Sequence, residues 1–299
     1  VIAVFIPFSY FGMQRIMIRE IARNKDRAGE YLGATLIIRA VLSCLMIIGI
    51  SIILPVINPT REVIIAIYLF ALGEIFMSIS DTFISVFVSF EKMIYDLILN
   101  MIVSLLGIVG IGVVVVYDLG FVNLFFAILF PAIIACLLGY YFTRKRFVRP
   151  EIKINLLLWR HIIKESFPLF ISTLFIQAFL RVDVFVLKAL RDLSEVSLFF
   201  APYTLVMRLQ MIPQTLVMAF FPLLSRFAST DRDSFEKSYE KILRLLFILS
   251  LPIAGITTIL AGKIIHLFFG SNFKEATVSL QILIWAINLT FLETLLGHI

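Results

Sequence analysis

Three arginines, Arg39, Arg181 and Arg208, stand inside long apolar stretches of this 299-residue sequence. A guanidinium so placed can offer a planar fork of N–H donors and a permanent positive charge to an anion, above all to phosphate oxygens. In hydrocarbon such a group costs about 2.5–3.5 kcal/mol on insertion scales unless it faces water or a partner, so it marks a functional site by default. Arg208 lies mid-stretch between Pro202 and Pro213, with Pro222 beyond. Thr204 and Thr215 share its helical face, and Gln210 and Gln214 form a second polar pair four residues apart. Gln177, Arg181 and Lys188 recur at intervals of four and seven, while Asp183 points elsewhere. This pattern predicts a hydrated cavity in which Arg181, Arg208, Gln177, Gln210 and Gln214 bind substrate. The competing reading is that Arg181 and Asp183 each pair with neighbouring helices and lock the bundle. Arg39, a few residues inside its stretch, is expected to snorkel to the cytoplasm.

Glu74 is followed on one helical face by Ser78, Asp81 and Ser85. Two carboxylates on one stripe fit a counter-charge for Arg181 or Arg208, a proton or sodium coupling site, or a buried protonated pair. The counter-charge is favoured, because a guanidinium keeps a desolvated carboxylate ionised. Asp183 joins Glu74 and Asp81 as a coupling or counter-charge candidate. No catalytic constellation and no cofactor are called for. Cys44 and Cys136 lie in apolar runs, and the three histidines share no metal-ligand spacing, so no metal is expected.

The elements that must position these residues are membrane helices. The composition is 61% hydrophobic and 15% charged, with a mean hydropathy of +1.04, against roughly 25% charged in soluble domains. Apolar runs of about 20 residues suit helices crossing a bilayer core about 30 Å thick, and they are too long for barrel strands. Eight spans are predicted, at 36–54, 63–88, 97–116, 121–142, 165–188, 196–221, 242–262 and 278–297, with residues 1–18 ending an earlier helix broken near Pro7. Eighteen basic residues fall in alternate loops, including Arg15–Arg27, Arg144–Lys164 and Arg226–Arg244; the intervening loops hold Arg61, Lys188, Arg191, Lys263 and Lys274. The positive-inside rule makes the first set cytoplasmic. The net charge of +6 is therefore assigned to anionic headgroups and not to nucleic acid.

The expected organisation is an N-terminal bundle over 1–142, a cytoplasmic linker over 143–164 and an incomplete C-terminal bundle over 165–299, and the chain, which opens mid-helix at Val1, is read as a fragment of a longer protein. Within the linker, Leu156–Lys164 mixes apolar and basic residues and is expected to lie along the interface. Arg19-Glu20-Ile21-Ala22-Arg23, with Asp26 and Tyr31, is faintly echoed by Ser225-Arg226-Phe227-Ala228-Ser229, with Asp231 and Tyr239. Parallel repeats of this kind are a transporter signature.

Arg19-Glu20-Ile21-Ala22-Arg23 followed by Gly33 resembles the cytoplasmic loop between the second and third helices of polysaccharide-synthesis flippases of the multidrug/oligosaccharidyl-lipid/polysaccharide exporter superfamily. Arg181-Val182-Asp183, Glu195-Val196, Ala201-Pro202-Tyr203 and Phe221-Pro222-Leu223-Leu224-Ser225-Arg226 are similar, in that order, to the family's seventh and eighth helices. Ser197-Leu198-Phe199 departs from the Gly-x-Tyr-like segment of many relatives. The resemblance implies an all-α, two-bundle membrane protein with a cationic central cavity, a fragment of a 12–14-helix transporter. It also implies flipping of polyprenyl-pyrophosphate-linked sugars across the cell membrane by alternating access, for surface polysaccharide assembly. The implied partners are the lipid-linked anionic sugar and membrane lipids, with a monomer as the working unit and a proton or sodium gradient as an alternative drive. A cation-coupled multidrug exporter of the same superfamily would rely on Glu74 and Asp81. A polysaccharide polymerase or ligase would need larger extracytoplasmic loops than these, and a structural scaffold would not retain Arg208.

Overall fold

The structure is a computed structural model that describes residues 2–151, 153, 155–179, 182, 186, 193–230 and 232–296. All regular structure among them is helical: α1 (Ile2–Tyr10), α2 (Met13–Arg23), α3 (Ala28–Ile57), α4 (Arg61–Ser89), α5 (Ile94–Val116), α6 (Phe121–Arg146), α7 (Leu156–Phe179), α8 (Leu193–Leu209), α9 (Met211–Thr230), α10 (Arg232–Phe269), α11 (Ala276–Leu283) and α12 (Ile287–Leu296). Short 3-10 turns precede α3 and join α11 to α12. Seven helical segments among the described residues are long and apolar enough to cross a membrane. The sixth expected span, 196–221, is divided at Gln210. Pro213 has no N–H for the Leu209 carbonyl, and its ring crowds that oxygen, so α8 stops at Leu209 and α9 begins at Met211.

The chain forms two compact units, residues 1–180 and 181–299. In the first, α4 packs along α6, where Gly139 accommodates the Phe83 ring; a Cβ at Gly139 would lie 2.9 Å from it. Phe87, Tyr95 and Phe147 meet edge to face and tilted at the loop between α4 and α5, with ring centroids 5.1–5.4 Å apart. The outer faces of α3 and α5 stay apolar and exposed, as lipid-facing surfaces do: Ile52, Ile108, Val109 and Val116 are all largely uncovered.

The broken helix at the start lies four residues beyond the position expected. Pro7 sits inside α1, and the break falls at Phe11 and Gly12, whose φ values of 46° and 66° are left-handed. Gly12 is required twice over, since an added Cβ would also stand 2.8 Å from the Leu169 Cβ of α7.

Leu156–Lys164 does not form a separate interfacial helix. It is the first third of α7, which runs unbroken to Phe179. The Asn155 side chain accepts from the Leu158 N–H at 3.1 Å and starts the helix. Leu158, Ile162, Ser166 and Phe170 then continue one buried stripe at four-residue spacing. That stripe packs α7 within the first unit, where Phe170 stacks on Phe11 with centroids 4.4 Å apart. The helix expected to open the C-terminal bundle therefore closes the first compact unit.

The linker is strapped to α3. The Glu151 N–H donates to the Gly29 carbonyl at 3.0 Å, and the strand of chain from Arg149 to Glu151 lies in the notch left by Gly29 and Gly33. Lys153 folds back on Glu151 at 2.8 Å, and that hydrogen bond raises its ammonium pKa.

In the second unit, Ala254 and Ala261 on α10 admit α11 and α12, whose Leu280, Ile284, Ile287 and Phe291 fill the contact. Gln281 Nε2 donates across to the Thr258 carbonyl at 3.2 Å, one polar tie in an apolar seam.

A Cβ at residue 33 would sit 2.0 Å from the Glu151 carbonyl oxygen, which is main chain and cannot swing away. Gly33→Ala should expel the strap, cost about 1–3 kcal/mol by overpacking and accelerate trypsin cleavage after Lys153. Limited proteolysis and thermal unfolding in detergent check both effects.

Candidate functional site

The first unit carries a polar cluster inside its membrane-length helices. On α3, Thr35, Arg39 and Ser43 follow one another at four-residue spacing and are all buried. On α4, Glu74 and Asp81 are seven residues apart, with Ser78 and Ser85 on the same stripe. Arg39 Nη2 reaches Asp81 Oδ2 at 2.7 Å; the arginine is wholly buried and the aspartate side chain is 15% exposed. The Tyr10 ring, at the end of α1, lies 5.8 Å from the Arg39 guanidinium carbon, and its hydroxyl donates to Glu74 Oε2 at 3.4 Å. Arg39 therefore does not snorkel. Its guanidinium is drawn inward by a carboxylate on the next helix and an aromatic face below.

This pair also corrects the assignment of counter-charges. Asp81 is neutralised by Arg39 of its own unit. Glu74 accepts from the Tyr10 phenol and makes no ion pair among the described residues. The remaining Arg39 donors, Nε and Nη1, are buried without partners among the described residues, as are Thr35 Oγ1 and Ser43 Oγ. Orphaned donors at this density mark space for ordered water or a bound polar group. Along α4 the hydroxyls serve their own backbone: Ser85 donates to the Asp81 carbonyl at 2.8 Å, Thr82 to that of Ser78 at 3.3 Å, and Ser89 to that of Ser85.

Asp81 also borders a cavity of about 270 Å³ between the α1–α2 break and α7, with Tyr10, Gln14, Arg15, Ser172 and Thr173 as its polar lining. Outside the apolar region, Arg19 donates to Glu165 at 3.1 Å and to Glu20 at 2.8 Å, in that order the main reasons its guanidinium pKa is raised.

The other expected residues are distributed as follows. Gln177 is on α7, half-buried, one turn beyond Thr173. Arg181 and Asp183 lie outside the described residues. Arg208 is exposed in the last turn of α8, where a cation also meets the negative end of the helix dipole. Gln210 is the hinge residue between α8 and α9, half-buried, and Gln214 is exposed in the first turn of α9. Arg208, Gln210 and Gln214 thus gather at one backbone break. Thr204 and Thr215 donate to the Phe200 and Met211 carbonyls at 2.9 and 2.8 Å. Asn100 donates within α5 to Asp96 at 2.6 Å. Arg39 is the residue that sequence reasoning undervalued, and its signal was the Thr35–Arg39–Ser43 stripe.

An all-helical chain with membrane-length helices, proline-interrupted segments and ionised groups held within them is a multi-pass membrane protein of transporter architecture. It belongs to the polysaccharide biosynthesis protein family, whose model matches residues 1–228. A Shigella flexneri protein named as an O-antigen transporter is 28% identical over 92 residues, a stretch that is 31% of this chain and 22% of that protein. Among solved structures, an inward-facing multidrug resistance MATE family transporter of the MOP superfamily superposes with a TM-score of 0.72 at 18% identity, covering 99% of this chain and 72% of that one. The Vibrio cholerae MATE transporter VcmN follows with a TM-score of 0.64 at 13% identity, over 99% and 73%. The family match bears out the resemblance to the polysaccharide-synthesis branch of that superfamily, and the structural neighbours bear out the fold.

Removing one member of a buried ion pair strands the other, at about 3–5 kcal/mol, whereas apolar replacement of both is often neutral. Arg39→Met and Asp81→Leu should each lower thermal stability in detergent sharply, and the double variant should recover most of the loss. A double-mutant cycle measures it.

Proposed function

We infer that this protein flips polyprenyl-pyrophosphate-linked sugars across the cell membrane by alternating access, in the assembly of a surface polysaccharide. The match of residues 1–228 to the polysaccharide biosynthesis family carries this reading. The chemistry agrees with it. A pyrophosphate with a polar glycan cannot cross hydrocarbon unaided, and a wet path with Arg208 and Arg181, supported by Gln177, Gln210 and Gln214, replaces its hydration with forked donors. The polyprenyl tail stays in lipid. Binding that differs between the two facing states, or a proton or sodium gradient, supplies the drive. The protein acts as a monomer and as a carrier, not as an enzyme.

The multidrug alternative needs free acidic groups to attract cations. Asp81 is bonded to Arg39, which removes half of that acidic pair from such a role. Glu74 stays the candidate for ion coupling.

Arg208→Ala and Arg181→Ala should each abolish export of a lipid-pyrophosphate sugar from reconstituted vesicles while the protein still inserts; normal rates in both would refute the assigned role. Glu74→Gln should change the dependence of transport on pH or sodium if Glu74 couples, and leave it untouched otherwise. Rates measured with and without each gradient decide this.

A further inference from the structure

We propose that the cavity beside Asp81 is a subsite for a glycosyl phosphate, specifically the first sugar of the lipid-linked substrate and the phosphate attached to it. The inference rests on the flippase reading above and places a substrate contact in the first unit.

Three observations support it. The first is size. At about 270 Å³ the cavity falls just below the range of roughly 300–1,000 Å³ that holds drug-sized ligands, so it suits one sugar ring and not a whole glycan or a large aromatic drug.

The second is the lining. Tyr10 offers an aromatic edge, Gln14 an amide, Asp81 a carboxylate, and Ser172 and Thr173 hydroxyls. The two hydroxyls donate to the Pro168 and Leu169 carbonyls at 2.9 and 2.8 Å, so their lone pairs point outward as acceptors for ligand hydroxyls. An acceptor set of carboxylate, hydroxyl and amide oxygens is the complement of a polyol. Asp81 is held in place for this by Arg39, which is entirely buried and keeps two further donors unpaired behind the carboxylate.

The third is charge. Arg39 cancels Asp81, and Arg15 on the rim is exposed and makes no ion pair among the described residues. Arg15, Arg39 and Asp81 together leave the cavity wall positive, with Glu74 set behind the Tyr10 hydroxyl and outside the lining, which disfavours a metal cation or a cationic drug. It favours a ligand carrying one anionic group beside its hydroxyls, with Arg15 on the phosphate. The backbone permits the approach because Phe11 and Gly12 interrupt the helix, and Gly12 lets α7 close against the break.

The test compares two probes in vesicles of phosphatidylethanolamine and phosphatidylglycerol: a polyprenyl pyrophosphate carrying one hexose, and the same lipid without sugar. Ser172→Ala with Thr173→Val should raise the half-saturating concentration of the glycosylated probe about tenfold, the size of a lost pair of ligand hydrogen bonds, and leave the sugarless probe unchanged. Arg15→Gln should raise it for both probes. Equal effects of the hydroxyl variants on both probes, or none on either, would overturn the subsite.

Binding is read separately, without transport. In a Cys44→Ser, Cys136→Ser background, Thr173→Cys should lose its alkylation by a maleimide when the glycosylated probe is present and keep it with the sugarless one. Protection by neither probe overturns the subsite. Sugar-specific protection in a protein that moves neither lipid upholds the subsite and overturns the flippase reading.

Discussion

The salt bridge between Arg39 and Asp81 is the constraint around which the first unit is arranged. A guanidinium does not deprotonate in a protein, so an arginine wholly removed from solvent keeps its charge and must find a carboxylate. Arg39 lies on α3 and Asp81 on α4, and a contact of 2.7 Å fixes the rotation of the two helices about their axes. The hydroxyls of Thr35 and Ser43, above and below the arginine, are thereby turned inward as well. Tyr10 completes the arrangement only because α1 ends there: two left-handed residues stop the helix and leave the ring beside the guanidinium. Unlike apolar packing, which tolerates small rotations, this contact loses most of its energy if any of the three helices turns.

Much of the fold was legible because lipid imposes a simple rule. Apolar segments of about 20 residues must be helical. The break in α1 and the proline-rich character of the segment around Arg208 were also visible as residue types. The depth of Arg39 was not. The apolar run begins near residue 36, which makes Arg39 look superficial, yet α3 starts at Ala28. At 1.5 Å per residue the arginine is therefore about 16 Å along the helix axis from that start, with its guanidinium turned inward to Asp81. The eight residues that separate the two estimates include Gly29 and Gly33, whose role is to hold the linker; they are helical for a tertiary reason that hydropathy does not register.

The start of α7 was misjudged for a related cause. Trp159, Arg160, His161 and Lys164 gave Leu156–Lys164 the composition of an interfacial segment. Composition and periodicity disagreed here, and periodicity was the better guide. The stripe Leu158, Ile162, Ser166, Phe170 crosses the supposed joint without a change of phase, which two helices meeting at an angle could not achieve. The basic residues occupy the remaining faces of the first turns, where long side chains can reach the headgroups. In the second unit the reverse holds: Leu193–Thr230 is apolar enough to read as one helix, and a single missing N–H at Pro213 divides it.

The same pairing bears on what the protein carries. A carrier for cations needs carboxylates that a substrate can neutralise, and one for anions needs guanidinium groups with donors to spare. Among the described residues within membrane-length or adjoining helices, Asp81 is already neutralised, Glu74 accepts from a phenol, and Arg208 is exposed beside two glutamines at a broken helix. Arg39, with two donors unpaired among the described residues, and the exposed Arg208 thus offer donor capacity with positive charge. Both units place it at a helix break, at Phe11–Gly12 and at Gln210, where main-chain groups are freed from the i to i−4 ladder and water must enter to satisfy them. Hydration and cationic donors at the same points are what a dianionic headgroup requires on leaving the membrane surface, whereas a hydrophobic cation would gain nothing from either. The charges left unpaired among the described residues thus support the anionic substrate proposed above by a route separate from the family match.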